Sequence, residues 1–381
     1  MGASRLRHAA FYAGALLGPF GGALVAPMLD ELSDTFDTTR GQAAGSITAY
    51  FIPFAFFLLF SGTLGERWGR RRTVRAAYLL SAASSLVCAA APSLEVLLLG
   101  RGGQGVANAF ITPLLVAGLA EEVGEGRLGA SLGTFVSFQM AGSSLAPAIG
   151  GIAGELDWRY GFVAVSFAGV VLAFAPPRGE PRRAAAAPPW RPLLTARLGL
   201  LAVSSFASSA GCLGVAFLIA GRARDEFGFG ASGAGFILLG NGVAGLATSS
   251  IWGRRLGQIG AVRGAALSAL GGAALVVATG VVGAGWLLAS SWALTGAVIA
   301  LYMVAHQELT VSILPANRAG AVSAVNSFRF LGISLAPIFW SGLYDRRASL
   351  AFAAAGALTA LSGLAVLAFA AAAAPARPVT A

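Results

Sequence analysis

Twelve long apolar runs dominate this sequence and restrict what the chain can fold into. Hydrophobic residues make up 56% of its 381 residues, and charged residues only 11%. A soluble domain carries roughly 25% charged residues, so no core surrounded by water could bury this chain. About 20 apolar residues cross the hydrocarbon layer of a bilayer. The sequence therefore predicts an all-α integral membrane protein of twelve transmembrane helices, near residues 10–29, 43–63, 74–91, 95–119, 129–153, 160–176, 197–220, 231–252, 263–282, 285–309, 319–343 and 349–373.

The basic residues predict how the chain is oriented in the membrane. All 26 are arginines, and they lie mostly in short breaks between apolar runs. If the N-terminus is placed in the cytoplasm, eighteen fall inside, six fall outside, and Arg101 and Arg329 lie within spans. This bias predicts that both termini are cytoplasmic. The net charge of +10 is then explained by topology and by contacts with anionic lipid, and no basic domain exists to receive nucleic acid.

Sequence patterns of enzymes and metal sites are missing from the chain. The two cysteines, Cys88 and Cys212, lie inside apolar runs, which argues against a disulfide framework or a metal site. We find no zinc-protease histidine pair, nucleophile elbow, carboxylate dyad or phosphate-binding loop. We therefore expect no enzyme, no metal and no bound cofactor, and we do not expect ATP to drive the protein directly.

The two halves of the chain are related in sequence. A polar, proline-rich linker at 177–196 separates six spans in 1–176 from six in 197–381. The segment 137–147, which includes Ser-Phe-Gln and Ser-Leu-Ala-Pro, recurs at 327–337 as Ser-Phe-Arg and Ser-Leu-Ala-Pro. Such a repeat predicts two six-helix halves related by an axis along the membrane normal. We interpret it as a sign of alternating access, in which the halves of a monomer rock around a central site.

A short basic segment, Gly62-Thr63-Leu64-Gly65-Glu66-Arg67-Trp68-Gly69-Arg70-Arg71-Arg72, joins the second and third spans. It resembles the loop between the second and third helices of the major facilitator superfamily, in which an acid and an arginine stand between two glycines and basic residues follow. The resemblance implies the twelve-helix fold of that superfamily. It also implies a conformational motif made of Gly62, Glu66, Arg67, Gly69 and Arg70. Because the second copy of the loop has Gly257 in place of Glu66, we expect a charge-controlled contact only in the first copy, against the start of span eleven near Arg318.

The fourth and fifth spans carry two further resemblances. Arg101-Gly102-Gly103-Gln104-Gly105 resembles the second motif of the superfamily, whose arginine is implicated in proton transfer. An arginine within a span costs about 2.5–3.5 kcal/mol, so Arg101 should face a cavity or a partner; an arginine that snorkels to the outer surface is the alternative. The set Gly142, Ala146, Pro147, Gly150 and Gly151 resembles the antiporter motif, with alanine in place of the glycine before proline. In the superfamily this motif marks proton-driven exporters, and a plain packing groove is the alternative.

Polar residues inside the spans are the candidates for a central cavity. Arg329 lies about ten residues into span eleven, near the midplane, with Gln139 as its repeat partner; a structural pair between Arg329 and an acid is the alternative. His306 and Glu308 form either a proton site or an interfacial pair. The remaining cavity candidates are Tyr50, Gln104, Asn108, Asn241 and Asn326. Because arginines outnumber acids within the spans, we expect neutral or anionic organic substrates.

Together these features predict a proton-coupled exporter of drugs or metabolites in a bacterial inner membrane, driven by the proton gradient and similar to the drug:proton antiporter branch. Its partners would be a small organic substrate, protons and lipid. An importer of sugars, organic acids or other nutrients, acting as a symporter or uniporter, is the alternative on the same fold. A membrane receptor that does not transport is the alternative of another class.

Overall fold

A computed structural model of the chain describes residues 2–123, 125–175, 194–314 and 318–372. Within these ranges the chain is helical and has no strand. Most of the predicted linker, 177–193, lies outside the described residues. The helices before it form one half of the molecule, here called the N half, and the helices after it form the C half.

The described residues of the N half form seven α-helices. They are α1 (Gly2–Ala23), α2 (Leu29–Thr35), α3 (Arg40–Trp68), α4 (Arg70–Ala89), α5 (Leu94–Glu122), α6 (Glu125–Leu156) and α7 (Arg159–Ala173). The C half contains seven more. They are α8 (Ala196–Ser208), α9 (Ala216–Asp225), α10 (Ala231–Ile259), α11 (Ala261–Thr279), α12 (Gly285–Ile313), α13 (Arg318–Arg346) and α14 (Ala348–Ala371).

These fourteen helices form the twelve predicted spans, because the first span of each half is broken. A short 3₁₀ turn, Ala26–Met28, separates α1 from α2, and a π-turn, Ser209–Leu213, separates α8 from α9. Nine of the described segments are long and apolar enough to cross a bilayer by themselves. The shorter α7, the arginine-rich α4 and the long α6 complete the set. The matching breaks agree with the internal repeat seen in the sequence.

The predicted basic loop is a turn of a single residue. Helix α3 ends at Trp68 and α4 begins at Arg70, and the Gly69 between them has φ +95°. Gly260 makes the same turn between α10 and α11 with φ +83°. Glycine adopts this left-handed region without a steric penalty. We call the side of the bundle with these two turns the Gly69 end and the opposite side, where α3 begins, the Arg40 end.

Two helix pairs make the main contacts between the halves, α3 with α13 and α6 with α10. Inside the N half, α5 packs against both α3 and α4, and α1 packs against α6. Helix α12 plays the part of α5 in the C half, since it packs against α10 and α11. Helices α3, α6, α10 and α13 therefore form the boundary between the halves.

Close packing of α3 against α5 yields a prediction on stability. A Cβ added to Gly105 would collide with the backbone carbonyl of Tyr50, and backbone atoms cannot turn aside as a flexible side chain can. We expect Gly105→Ala to lower the free energy of unfolding by about 1–3 kcal/mol through overpacking. Thermal unfolding of the purified protein in detergent measures this. Gly199→Ala in α8 is the control, because a Cβ there meets no atom within 4 Å, and equal stability of the two variants would contradict the prediction.

Candidate functional site

A small cavity in the C half contains the deepest predicted charge, Arg329. The cavity lies between α8, α12 and α13, and its volume is about 20 Å³. Its polar walls are formed by Ser205, Ser209, Tyr302, His306, Asn326 and Arg329. The predicted cavity residues His306, Asn326 and Arg329 are thus brought together.

The cavity holds Arg329 without a counter-charge from the described part of the chain. The guanidinium carbon lies 5.7 Å from the ring centroid of Phe330, and Nε is buried without a hydrogen-bond partner among the described residues. No described carboxylate lies within ion-pair distance. The predicted alternative, a structural pair between Arg329 and an acid, therefore finds no support in the described residues.

The predicted pair of His306 and Glu308 is separated in the structure. His306 is buried, its Nε2 lies 3.1 Å from the carbonyl of Leu201, and its ring stacks on Tyr302. Glu308 is exposed, because a step of two residues turns a helical side chain by about 200°. His306 therefore belongs to the Arg329 cavity, and Glu308 does not.

Arg101 is fully buried in the N half, so it neither lines a cavity nor snorkels. Its Nη1 donates to the carbonyl of Gly21 at 2.8 Å and to Gln104 Oε1 at 2.7 Å, and its Nε donates to Ser46 O at 3.2 Å. Its guanidinium lies 4.4 Å from the ring centroid of Tyr50. The last carbonyls of a helix lack partners within the helix, so Arg101 stabilises the end of α1 where the first span breaks.

Three other predicted cavity residues are also buried in this core, which corrects their assignment. Gln104 donates to Ser85 Oγ at 2.7 Å, and Asn108 donates to the carbonyl of Gln104 at 3.0 Å. The hydroxyl of Tyr50 donates to the carbonyl of Gly18 at 2.9 Å. The spacing of i, i+3 and i+7 puts Arg101, Gln104 and Asn108 on one face of α5, and that face packs against α1, α3 and α4.

Asn241 and Gln139 also lie outside the Arg329 cavity. Asn241 is half-buried, and its Nδ2 donates to the carbonyl of Trp292 at 2.9 Å, which ties α10 to α12. Gln139 is half-buried on α6 and does not line the cavity. Gln139 and Arg329 occupy matching positions in the repeat, but among the described residues Gln139 does not contribute to the cavity that contains Arg329.

Charged residues join the two halves at the Arg40 end. Nη2 of Arg40 in the N half donates to Asp225 Oδ1 of the C half at 2.7 Å, and Arg40 also pairs with Asp30. Arg224 of the C half reaches back to Asp30 at 2.6 Å and to Glu31 at 2.7 Å. Each arginine thus contacts acids in the N half, and the network crosses the boundary twice.

A second polar contact crosses the boundary where α6 ends and α10 begins. Glu155 accepts hydrogen bonds from the backbone N–H of Ser232 at 3.0 Å and from its hydroxyl at 2.6 Å. Those bonds lower the pKa of the Glu155 carboxyl below its usual value. The carboxylate therefore satisfies the first turn of a helix in the other half, where the helix dipole also favours negative charge.

The residues of the predicted antiporter motif form two packing surfaces on α6. Gly142 presses against the carbonyl of Leu16 in α1, and Gly150 presses against the carbonyl of Leu24, directly after α1 in the same half. Gly151 presses against the carbonyl of Ala231 in α10, and Gly235 of α10 presses against the carbonyl of Pro147. Small residues allow this backbone contact. The motif thus connects α1 to the boundary between the halves, and Ala146, which departs from the family pattern, is fully buried beside it.

Aromatic side chains extend the contact between α3 and α13 toward the centre. Phe330 stacks on Phe51 with ring centroids 5.8 Å apart and meets Phe54 edge-on at 4.7 Å. Nearer the Arg40 end, the hydroxyl of Thr48 donates to the carbonyl of Ser334. The described contacts between the halves therefore gather from the Arg40 end to the level of Phe330.

The basic motif at the Gly69 end makes its described contacts within the N half. Arg70 is 3% exposed; it donates to Glu66 at 2.7 Å and to both carboxylate oxygens of Glu121 at 2.7 and 3.0 Å. Arg67 is exposed. The predicted contact of Glu66 with the start of α13 stays a prediction, since the side chain of Arg318 is outside the described residues.

Sequence reasoning missed several residues that form these contacts. Glu121 was not expected to bind Arg70, and Arg40, Asp225 and Glu155 were not assigned a role. The available signal was weak, since charges at the ends of different spans can pair only if the fold brings those ends together.

The N half and the beginning of the C half are similar in sequence to known proteins. A family model described as Major Facilitator Superfamily matches residues 11–221, which is more than half of the chain. An uncharacterised MFS-type transporter, YybF of Bacillus subtilis, is 31% identical over 136 residues, 35% of this chain and 34% of that protein. A "Multidrug resistance protein B homolog" of Mycobacterium tuberculosis is 31% identical over 142 residues, 36% of this chain and 26% of that protein. The drug efflux pump JefA of the same species is 31% identical over 137 residues, 35% of this chain and 27% of that protein. The matches thus span about a third or less of these relatives.

Solved structures match the chain over nearly its full length. A bacterial homologue of the human lysosomal transporter Spinster, in an inward-facing conformation, superimposes with a TM-score of 0.74 at 16% identity and covers 96% of this chain and 95% of that one. A D-xylose–proton symporter superimposes with a TM-score of 0.77 at 15% identity, and the coverage is 95% and 97%. At this identity the likeness shows the fold. Family match and fold agree with the motifs at Gly69 and in α6, and the chain belongs to the major facilitator superfamily of transporters.

Proposed function

We propose that this transporter is a proton-coupled exporter of small organic molecules that works by alternating access. The observation that carries the proposal is the one-sided contact between the halves. Ion pairs, backbone packing and aromatic rings join them from the Arg40 end to Phe330, whereas the described contacts of Arg70 at the Gly69 end stay within the N half. Two halves joined at one end can rock apart there and close at the other.

The arginine bias supports placing the Gly69 end in the cytoplasm, together with both termini, in a cell membrane. The structure then corresponds to an inward-facing state, closed toward the outside. A Cβ added at Gly253 or Gly257, near the Gly69 end of α10, would meet no atom within 4 Å. The surface of α10 around Gly253 and Gly257 is therefore free to contact the N half when the protein changes to the outward-facing state.

Export is supported by the antiporter motif and by the names of relatives. In this chain the motif forms the backbone contact between α6 and α10, which must separate when the Arg40 end opens. Two of the matched relatives are a multidrug resistance protein homologue and a drug efflux pump. The superposition on a sugar–proton symporter keeps nutrient uptake as the second candidate. Because no described acid faces Arg329, we propose neutral or anionic substrates.

Transport in liposomes tests the direction of coupling. We expect an aromatic sulfonate or a neutral aromatic compound to move protons against its own flux, reported by a trapped pH-sensitive dye, while an aromatic cation does not. Glu66→Gln should slow this exchange, since Glu66 is paired with Arg70, and Arg71→Gln, at an exposed neighbouring site, is the control. If protons move in the same direction as the compound, the protein is a symporter and the proposed export is wrong.

Opening of the Arg40 end can be measured with a cysteine at Thr48, which contacts Ser334 across the boundary. We expect Asp225→Asn to raise labelling of Thr48→Cys by a membrane-impermeant thiol reagent about tenfold, because it removes a charge-assisted hydrogen-bonded pair of about 1.5 kcal/mol. The native Cys88 and Cys212 are buried. Arg159→Gln is the control, because Arg159 pairs with Asp157 within the N half. The double variant Arg40→Asp/Asp225→Arg, in which the two charges are exchanged, should restore low labelling. Equal labelling in all variants would refute a role for the ion pair between Arg40 and Asp225 in closure.

External pH should act on the same closure through Glu155. The hydrogen bonds from Ser232 lower the pKa of Glu155 when the Arg40 end is closed. Glu155 therefore stabilises the closed arrangement fully above the ordinary carboxyl pKa of about 4.3. This stabilisation is lost as the pH falls through the lowered pKa of the closed arrangement. Labelling at Thr48→Cys is divided at each pH by the labelling of the unfolded protein, because less of the thiol is thiolate in acid. This ratio should stay constant from about pH 8 to about pH 5 and rise as the pH falls below the ordinary carboxyl pKa. Glu155→Gln should show higher labelling at neutral pH and a smaller rise. A response of the parent protein centred near neutral pH would assign the effect to another group.

A further inference from the structure

The cavity beside Arg329 contains a cation whose charge the described chain does not balance. Among the described residues that line it there is no aspartate or glutamate. Nε of Arg329 is buried and lacks a hydrogen-bond partner among them. A buried charge without a partner is costly, and an arginine in a span is held where it can meet an opposite charge. The chain thus leaves a positive charge that an added anion would stabilise.

The walls around Arg329 supply further hydrogen-bond donors. Ser205 and Ser209 of the broken seventh span carry hydroxyl groups, and Asn326, one turn before Arg329 on α13, carries an amide. His306 uses Nε2 on the carbonyl of Leu201, and that bond fixes its ring against Tyr302. Hydroxyl and amide groups around an arginine are the donors that an anion requires.

The size of the cavity limits what it can hold. A volume of about 20 Å³ accommodates one group of roughly the size of a water molecule. A whole organic substrate does not fit, whereas a halide ion or one end of a carboxylate does. The π-turn Ser209–Leu213, whose first residue lines the cavity, belongs to a class of helix irregularity that is frequent at functional sites.

We propose that this cavity is a small-anion subsite in which Arg329 binds either chloride or the carboxylate headgroup of the transported molecule. If the anion is a substrate headgroup, the inference rests on the proposed function and deepens it. It then assigns the negative charge of the substrate to the C half of the transporter. The remaining part of such a substrate would extend toward the boundary between the halves, where Phe330, next to Arg329, contacts Phe51 and Phe54 of the N half.

Thermal unfolding in detergent tests anion binding without transport. The full-length protein is heated in sodium chloride, sodium acetate or sodium benzoate and in sodium gluconate of equal ionic strength, with tryptophan fluorescence as the readout. A ligand bound only by the folded state raises the unfolding temperature with its concentration. We expect chloride or a small carboxylate to raise it by about 2–5 °C over gluconate, and we expect the rise to saturate.

Substitutions connect that shift to the cavity. Arg329→Gln should abolish the response to chloride and acetate, and it should not unfold earlier than the parent protein in gluconate, because it removes an unpaired buried charge. Arg329→Lys should retain a weaker response. Arg254→Gln, at an exposed arginine of the Gly69 end, is the matched control and should respond like the parent protein. Binding of radiolabelled chloride to the parent protein, with and without benzoate, covers the case in which Arg329→Gln does not fold.

The results separate the two sources of the anion. Chloride binding that benzoate does not displace assigns the cavity to an inorganic ion, and displacement by benzoate assigns it to a carboxylate headgroup; both support the subsite. Equal unfolding temperatures in all salts, together with no bound chloride, would overturn it and leave water as the occupant. A response that persists unchanged in Arg329→Gln would also overturn it. Because these measurements need no transport, failure of the subsite and failure of export are distinguishable.

Discussion

Backbone contact between helices of the two halves is the interaction on which the rest of this structure depends. In a bilayer, apolar side chains gain little by leaving lipid, so helices associate through close packing and polar contacts. Here α6 meets α10 through Gly151 and Gly235, each pressed against a carbonyl of the other helix. Such a contact stabilises the helix pair only while the two backbones touch, and it is lost as soon as the helices move apart. It therefore suits a surface that must exist in one state and vanish in another.

Arg70 and Arg101, which are buried, and Arg329, which is half-buried, show how the fold deals with charge in an apolar interior. Arg101 is surrounded by carbonyl groups and stabilises the break after α1, and Arg70 is held between two carboxylates. Both are satisfied within the N half, so their roles are positional. Arg329 has an aromatic neighbour but no described counter-charge. This difference singles out the C half as the place where a ligand would supply what the protein lacks.

The closure at the Arg40 end combines interactions with different sensitivities. The network around Arg40 and Asp225 is partly exposed, so salt and charge substitution weaken it. The contacts of Gly151 and Gly235 are disrupted by any larger side chain at those positions. The contact of Glu155 with Ser232 is weakened when acid protonates the carboxylate. Since these contacts lie at successive depths from the surface to Phe330, none of them needs to hold the state alone, and each can be broken separately by experiment.

The sequence by itself determined the class of fold, the twelve spans and the family, and it predicts the division into related halves. Span length follows from bilayer thickness, and the turn at Gly69 follows from glycine chemistry, so both are local properties. Helical spacing also puts Arg101, Gln104 and Asn108 on one face of α5. Only the tertiary structure decided that this face is core, that Arg329 lines a cavity to which its repeat partner Gln139 does not contribute, and that Arg40 meets Asp225 from 185 residues away. A periodic pattern specifies which residues share a side of a helix. What that side faces depends on how helices distant in sequence pack, and no local pattern encodes that.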